Sequence, residues 1–73
     1  MYYIFDDKNY ENYKKGVSFY GEARETWDEA LNTVGQKAKE RINPLHYMRV
    51  WTKNRVTTVD YGSHTKFFYI VEI

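Results

Sequence analysis

The sequence has no cysteine, a single proline and four glycines among 73 residues. Without thiols there are no disulfides and no thiolate metal sites, which excludes a stapled secreted scaffold. The longest uninterrupted apolar run is Phe67 to Val71, far short of the roughly 20 residues that span a bilayer. Asp6, Asp7, Lys8, Glu11, Lys14 and Lys15 break up the first sixteen residues, leaving no apolar stretch of the signal-peptide kind. The formal net charge is only +1, which argues against a strongly basic nucleic-acid binder and against a strongly acidic DNA mimic. These absences leave one small domain over residues 1–73, expected in the cytoplasm and away from membranes. A chain of this length buries about 60% of its unfolded surface, close to the lower limit for folding alone.

Aromatic rings are what the chain has in excess: eight tyrosines, four phenylalanines and two tryptophans. Leucine occurs only at Leu31 and Leu45. Tyrosine tolerates half-burial, having an apolar ring and a polar tip, so using it in place of aliphatics suggests a surface made for contact. The charge is unevenly placed. Residues 1–30 carry a net −3 and residues 31–73 a net +4, a split able to orient a partner.

Tyr2-Tyr3-Ile4-Phe5 is a short β-favouring run, ended by Asp6-Asp7-Lys8-Asn9. Residues 6–15 are polar and turn-rich, and Gly16 to Tyr20 restarts a strand, so the opening third reads as a hairpin with a long connection. Thr26 followed by Glu29 is a capping box. Trp27, Ala30, Leu31, Val34, Ala38 and Ile42 then form one apolar stripe at helical spacing, which Asn43-Pro44 ends. Gly35, unfavourable inside a helix by about 1 kcal/mol relative to alanine, suggests close approach to a strand. Beyond Pro44 the pattern changes to period two. His46 to Lys53, Arg55 to Tyr61 and Thr65 to Ile73 read as three strands joined at Asn54 and at Gly62-Ser63-His64, an antiparallel meander. The expected fold class is α+β: a five-stranded antiparallel sheet with one helix on one face, in the order β-β-α-β-β-β.

One helix of about 16 residues covers near 240 Å² of sheet, whereas five six-residue strands present close to 480 Å² per face. Half of one face and all of the other are left open. Met48, Val50 and Thr52 alternate with Tyr47, Arg49, Trp51 and Lys53. Placing the aliphatics under the helix sends Tyr47 and Trp51 outward beside two cations. The last strand, Phe67 to Ile73, is apolar on both faces, as a covered central strand would be. Tyr, Trp and Arg are the residues most enriched at interface hot spots. The candidate partner-binding residues are therefore Tyr47, Arg49, Trp51, Lys53, Arg55 and Tyr61. The aromatics serve as anchors, and the cations pair acidic groups or compete for sites that hold phosphates. Gln36, Lys37, Glu40 and Arg41 on the helix form a second, weaker surface.

The residues of catalysis are not arranged for it. Ser63 and His64 are adjacent in a turn and point apart. His46 and His64 lack ligand spacing for zinc, and Asp6-Asp7 lack the pattern of a calcium loop. No glycine-rich phosphate loop is present, so neither an enzyme nor a cofactor is expected. The competing reading is a nucleic-acid platform, since aromatics flanked by cations also stack bases. It lacks the RNP-type motif and the basic excess. Self-association through the aromatic face is a further alternative.

In layout the chain resembles the small inhibitor proteins that phages encode against bacterial hosts, and is similar to certain type I anti-CRISPR proteins built as a five-stranded sheet plus one helix. The features that carry the resemblance are Tyr3-Ile4 in the opening strand, Gly16 before the second strand, Ala23 before the helix, and Thr26-Trp27-Asp28-Glu29-Ala30 at the helix start. The resemblance covers most of the chain and transfers no binding residue. It implies a host-directed inhibitor that blocks a defence complex or another host machine by occupying a surface.

Overall fold

The computed structural model describes residues 1–16, 21–42, 44–45, 47–63 and 66–73. The elements in chain order are β1 (Tyr2–Phe5), α1 (Asp7–Lys14), β2 (Ala23–Arg24), α2 (Trp27–Arg41), β3 (Arg49–Lys53), β4 (Val56–Asp60) and β5 (Phe68–Glu72). The strands form one five-stranded sheet ordered β2-β1-β5-β4-β3, and every neighbouring pair is antiparallel. The α+β class and the antiparallel sheet agree with the sequence reading. The single helix and the order β-β-α-β-β-β do not, because the described chain has two helices and runs β-α-β-α-β-β-β.

The additional helix lies in the stretch read as a polar connection. Asp6 is its N-cap, accepting from the Asn9 amide at 2.8 Å. Asp7 in the first turn and Lys14 in the last complement the helix dipole. Eight residues are too few to hold a helix by propensity alone, so tertiary contacts must supply the rest. Tyr10 and Tyr13, three residues apart on one side of α1, do this. The Tyr10 ring stacks on Tyr69 with centroids 4.0 Å apart, and Tyr13 lies 5.1 Å from Phe5.

Of the second strand expected at Gly16–Tyr20, Gly16 lies in a turn at φ 84° and residues 17–20 lie outside the described residues; β1 pairs with Ala23–Arg24. The strand expected from residue 46 begins at Arg49, and that expected from residue 65 begins at Phe68. His46, His64 and Thr65 lie outside the described residues.

The capping box of α2 forms as written. Thr26 Oγ1 accepts from the Glu29 amide at 3.1 Å and donates to Glu29 Oε1 at 3.1 Å. Ala30, Val34 and Ala38 are fully buried against Ile4, Val59, Tyr61, Phe68 and Ile70 of the sheet. Trp27 reaches across to β4, its indole N–H donating to Thr57 Oγ1 at 3.0 Å, while Thr57 and Thr52 share a hydroxyl contact of 2.8 Å. Every buried side-chain polar atom among the described residues has a partner. The helix-facing side of the sheet thus holds the core, with a hollow left beside Trp27, Thr52 and Arg55. Gly35 does not mark a tight contact, since a Cβ built there would lie 3.8 Å from Met48 Cε, ordinary packing distance.

Candidate interaction surface

Side chains alternate across a strand, so the sheet positions not taken by α2 share the opposite face. These are Tyr3 and Phe5 of β1, Tyr69 and Val71 of β5, Val56, Thr58 and Asp60 of β4, and Arg49, Trp51 and Lys53 of β3, as the pairings Phe5↔Tyr69, Thr58↔Tyr69 and Trp51↔Thr58 show. Helix α1 covers the β1 and β5 portion by placing Tyr10 and Tyr13 over Phe5 and Tyr69. Phe5 is consequently buried. Burial raises the Tyr69 phenol above its ordinary pKa, outweighing the opposing pull of Lys14. The Lys14 ammonium, 5.0 Å from the Tyr10 ring and 2.9 Å from Glu11, closes the outer side of this cluster.

No described helix covers the β3 end. Trp51 is 49% exposed and Tyr47, just before the strand, is 53% exposed. They stand two positions to either side of Arg49 on the same face of the chain, and Lys53 continues the row. Arg49 is held by Asp60 directly across the ladder, Nη2 to Oδ2 at 3.2 Å, while its own side chain remains 71% exposed. Asp60 also accepts from the Gly62 amide at 2.9 Å. That bond first, and Arg49 second, hold its carboxyl below the usual carboxylate range. A low-pKa carboxylate anchored by the backbone therefore fixes the base of the exposed guanidinium.

Arg55 lies in the β3–β4 turn, with φ of 66°, after Asn54 at 52°. A two-residue turn of this kind needs both residues in the left-handed region, which Asn and Gly tolerate best. Arg55 occupies the position that glycine would favour, one residue before the strand expected to contain it. It is exposed, and it lines a hollow with Trp27, Thr52, Thr57 and Ile70 on the α2 side of the sheet, away from the Trp51 row.

Tyr61 is the correction within the proposed set. It is 3% exposed, on the α2 side of the sheet, with its ring 5.3 Å from Phe68 and its hydroxyl accepting from Arg41 at 3.4 Å. Period-two alternation from Thr57 and Val59 already put it on that side. The structure groups Tyr47, Arg49, Trp51 and Lys53, and it separates both Tyr61 and Arg55 from them, Tyr61 by burial and Arg55 by its place in the turn on the α2 side.

The second surface named on α2 is largely engaged within the chain. Lys37 pairs with Glu22 at 2.9 Å, Arg41 approaches Asp6 at 3.8 Å, and the Arg41 guanidinium lies 4.6 Å from the Phe68 ring centre. The Lys37 contact, with help from Arg24, lowers the Glu22 pKa. These charges line a hollow of about 220 Å³ between α2, Asp6 and Asn9. Among the described residues no group of three or more metal-ligating side chains converges, and no helix is long and apolar enough to cross a membrane.

Comparison with protein families, with curated proteins and with solved structures gives no match. Function must therefore be argued from the surface itself. Sequence reasoning missed Thr58 and Val56 as direct neighbours of Trp51 and Lys53, because the β3–β4 register is needed to bring them alongside. It also missed that Tyr10 and Tyr13 close part of the open face. Asp6 as cap, Asp7 and Lys14 at opposite ends, and the 10/13 spacing were the available signals.

Proposed function

We propose that this chain is a non-enzymatic protein-binding module that acts by covering a functional surface of its partner. The observation that supports this best is Trp51, half-exposed on a sheet face, in one row with Tyr47, Arg49 and Lys53. A tryptophan flanked by guanidinium and ammonium groups combines the residue types that dominate binding energy at protein interfaces. Asp60 pre-orients Arg49, which reduces the ordering cost that a long side chain otherwise carries on binding. The resemblance in layout to small phage inhibitors extends the proposal to an antagonist of a host defence complex or another host machine. The antiparallel sheet fits that layout and α1 departs from it.

The test is affinity capture from a bacterial lysate with the wild-type chain and with Trp51→Ala in parallel. A partner retained by the first and lost by the second supports the proposal. An identical set of captured proteins would remove it. Arg49 and Lys53 beside Trp51 also favour a second reading, a single-stranded nucleic-acid platform. Oligothymidylate that quenches tryptophan fluorescence with steep salt dependence would establish that reading in place of the first.

A further inference from the structure

The two margins of the sheet differ. On one side β2 is only two residues long, and short edges resist strand addition. On the other side β3 offers five residues, and no described strand lies beyond it. The two-residue turn makes Lys53 and Val56 the closing hydrogen-bonded pair of the hairpin, and such pairs alternate along an antiparallel ladder. Lys53, Trp51 and Arg49 therefore direct their backbone groups to β4. Val50 and Thr52 direct theirs outward. The 2.8 Å contact between the Thr52 and Thr57 hydroxyls agrees, because side chains approach most closely at non-hydrogen-bonded pairs.

We infer that the outer edge of β3 takes up an extended acidic peptide as a sixth antiparallel strand; this rests on the protein-binding reading above and specifies its partner. The charges select the occupant. A strand added at this edge places alternate side chains opposite Arg49, Trp51 and Lys53 on the open face, and Val50 and Thr52 on the other. Opposite charges at directly facing positions stabilise the pair and like charges oppose it, so the complement is acidic, apolar, acidic at every second residue, with β-formers between. Arg49 engages Asp60 through Nη2, and its remaining donors are available to an incoming carboxylate. A second copy of this chain is a poor occupant. The antiparallel register that pairs all five residues of β3 with themselves is centred on Trp51 and sets Arg49 against the other copy's Lys53 at both ends. The same cations that admit an acidic strand thus reject the full self-pairing.

The probe is a capped heptapeptide, Thr-Glu-Thr-Phe-Thr-Glu-Thr, compared with its twin carrying Lys for Glu, on the ¹⁵N-labelled chain. The expected result is slowed amide exchange at Val50 and Thr52 and at least tenfold tighter binding of the Glu peptide. Thr52→Pro removes an outward donor and should abolish that binding. Lys53→Glu changes only an exposed side chain and should erase the preference. Equal binding of the two peptides, or perturbation of the Trp51 ring without protection of the Val50 and Thr52 amides, overturns the proposal. So does a dimer in sedimentation with those amides protected, or oligothymidylate protecting them. Unprotected amides alongside Trp51-dependent capture would remove only the edge pairing. Capture indifferent to Trp51→Ala would remove the protein-binding reading beneath it.

Discussion

Truncating Trp51 and Tyr61 to alanine should separate two aromatics that the sequence placed in one surface. A tryptophan side chain presents roughly 200 Å², and with 49% of Trp51 exposed about 100 Å² of it leaves water on folding. At about 25 cal/mol per Å² the loss is at most about 2.5 kcal/mol. Residual burial in the denatured chain and the retained Cβ bring the expected cost of Trp51→Ala to about 1–2 kcal/mol. Tyr61 is 3% exposed and packed on Phe68. Its truncation leaves a cavity, and large-aromatic deletions of this kind cost about 3–5 kcal/mol. A 73-residue chain has a total stability of about 4–11 kcal/mol, so Trp51→Ala stays folded while Tyr61→Ala approaches the limit. Urea denaturation followed by circular dichroism, with Trp27 as the remaining fluorophore in Trp51→Ala, gives both values from midpoints at constant slope. Equal losses for the two variants would refute the division of this sheet into a buried and a contact face.

Three further outcomes are expected. Gly35→Ala should stabilise the chain by about 0.5–1 kcal/mol in the same urea assay, because the helix gains propensity and the new methyl meets Met48 at ordinary distance. Arg55→Gly should also stabilise, by about 1 kcal/mol, through relief of a left-handed backbone; a loss of stability would mean that the arginine side chain holds the turn. Asp60 and Glu22 have carboxyl groups held below their ordinary values by the Gly62 amide and by Lys37 respectively. Depressed carboxylates favour the fold above their unfolded pKa, and that contribution disappears as pH falls through the folded one. Thermal stability should therefore decline below about pH 4, and less steeply in Asp60→Asn; parallel acid profiles for the two proteins would contradict the assignment.

What the sequence made legible was whatever local pattern decides. The Thr26-Glu29 box, the stripe from Trp27 to Ile42 and the alternation from Tyr47 to Lys53 each follow from backbone geometry, and each recurs in the structure. The row Arg49, Trp51, Lys53 was readable for the same reason. Helix α1 carries only the weaker local signals of the Asp6 cap and the Tyr10/Tyr13 spacing, and what holds it is Tyr10 meeting Tyr69, a residue distant in sequence. The placement of Arg55 failed on one turn residue, where a bulky side chain adopts a conformation that pattern reading reserves for glycine. Tyr61 was assigned to the wrong face even though its alternation with Val59 was in view, because its residue type was weighed above its register.

The central strand of the sheet, β5, is paired with β1 from the other end of the sequence, with Tyr2 opposite Glu72 and Phe5 opposite Tyr69. The β3–β4 hairpin and α2 involve neighbours in sequence and can form within microseconds. Joining β1 to β5 instead requires closing a loop of more than sixty residues, an entropy of about 4 kcal/mol. During synthesis β1 can meet α1 and β2 early, but its ladder with β5 waits until Phe68–Glu72 has been made. Assembly should therefore be slow for so small a sheet.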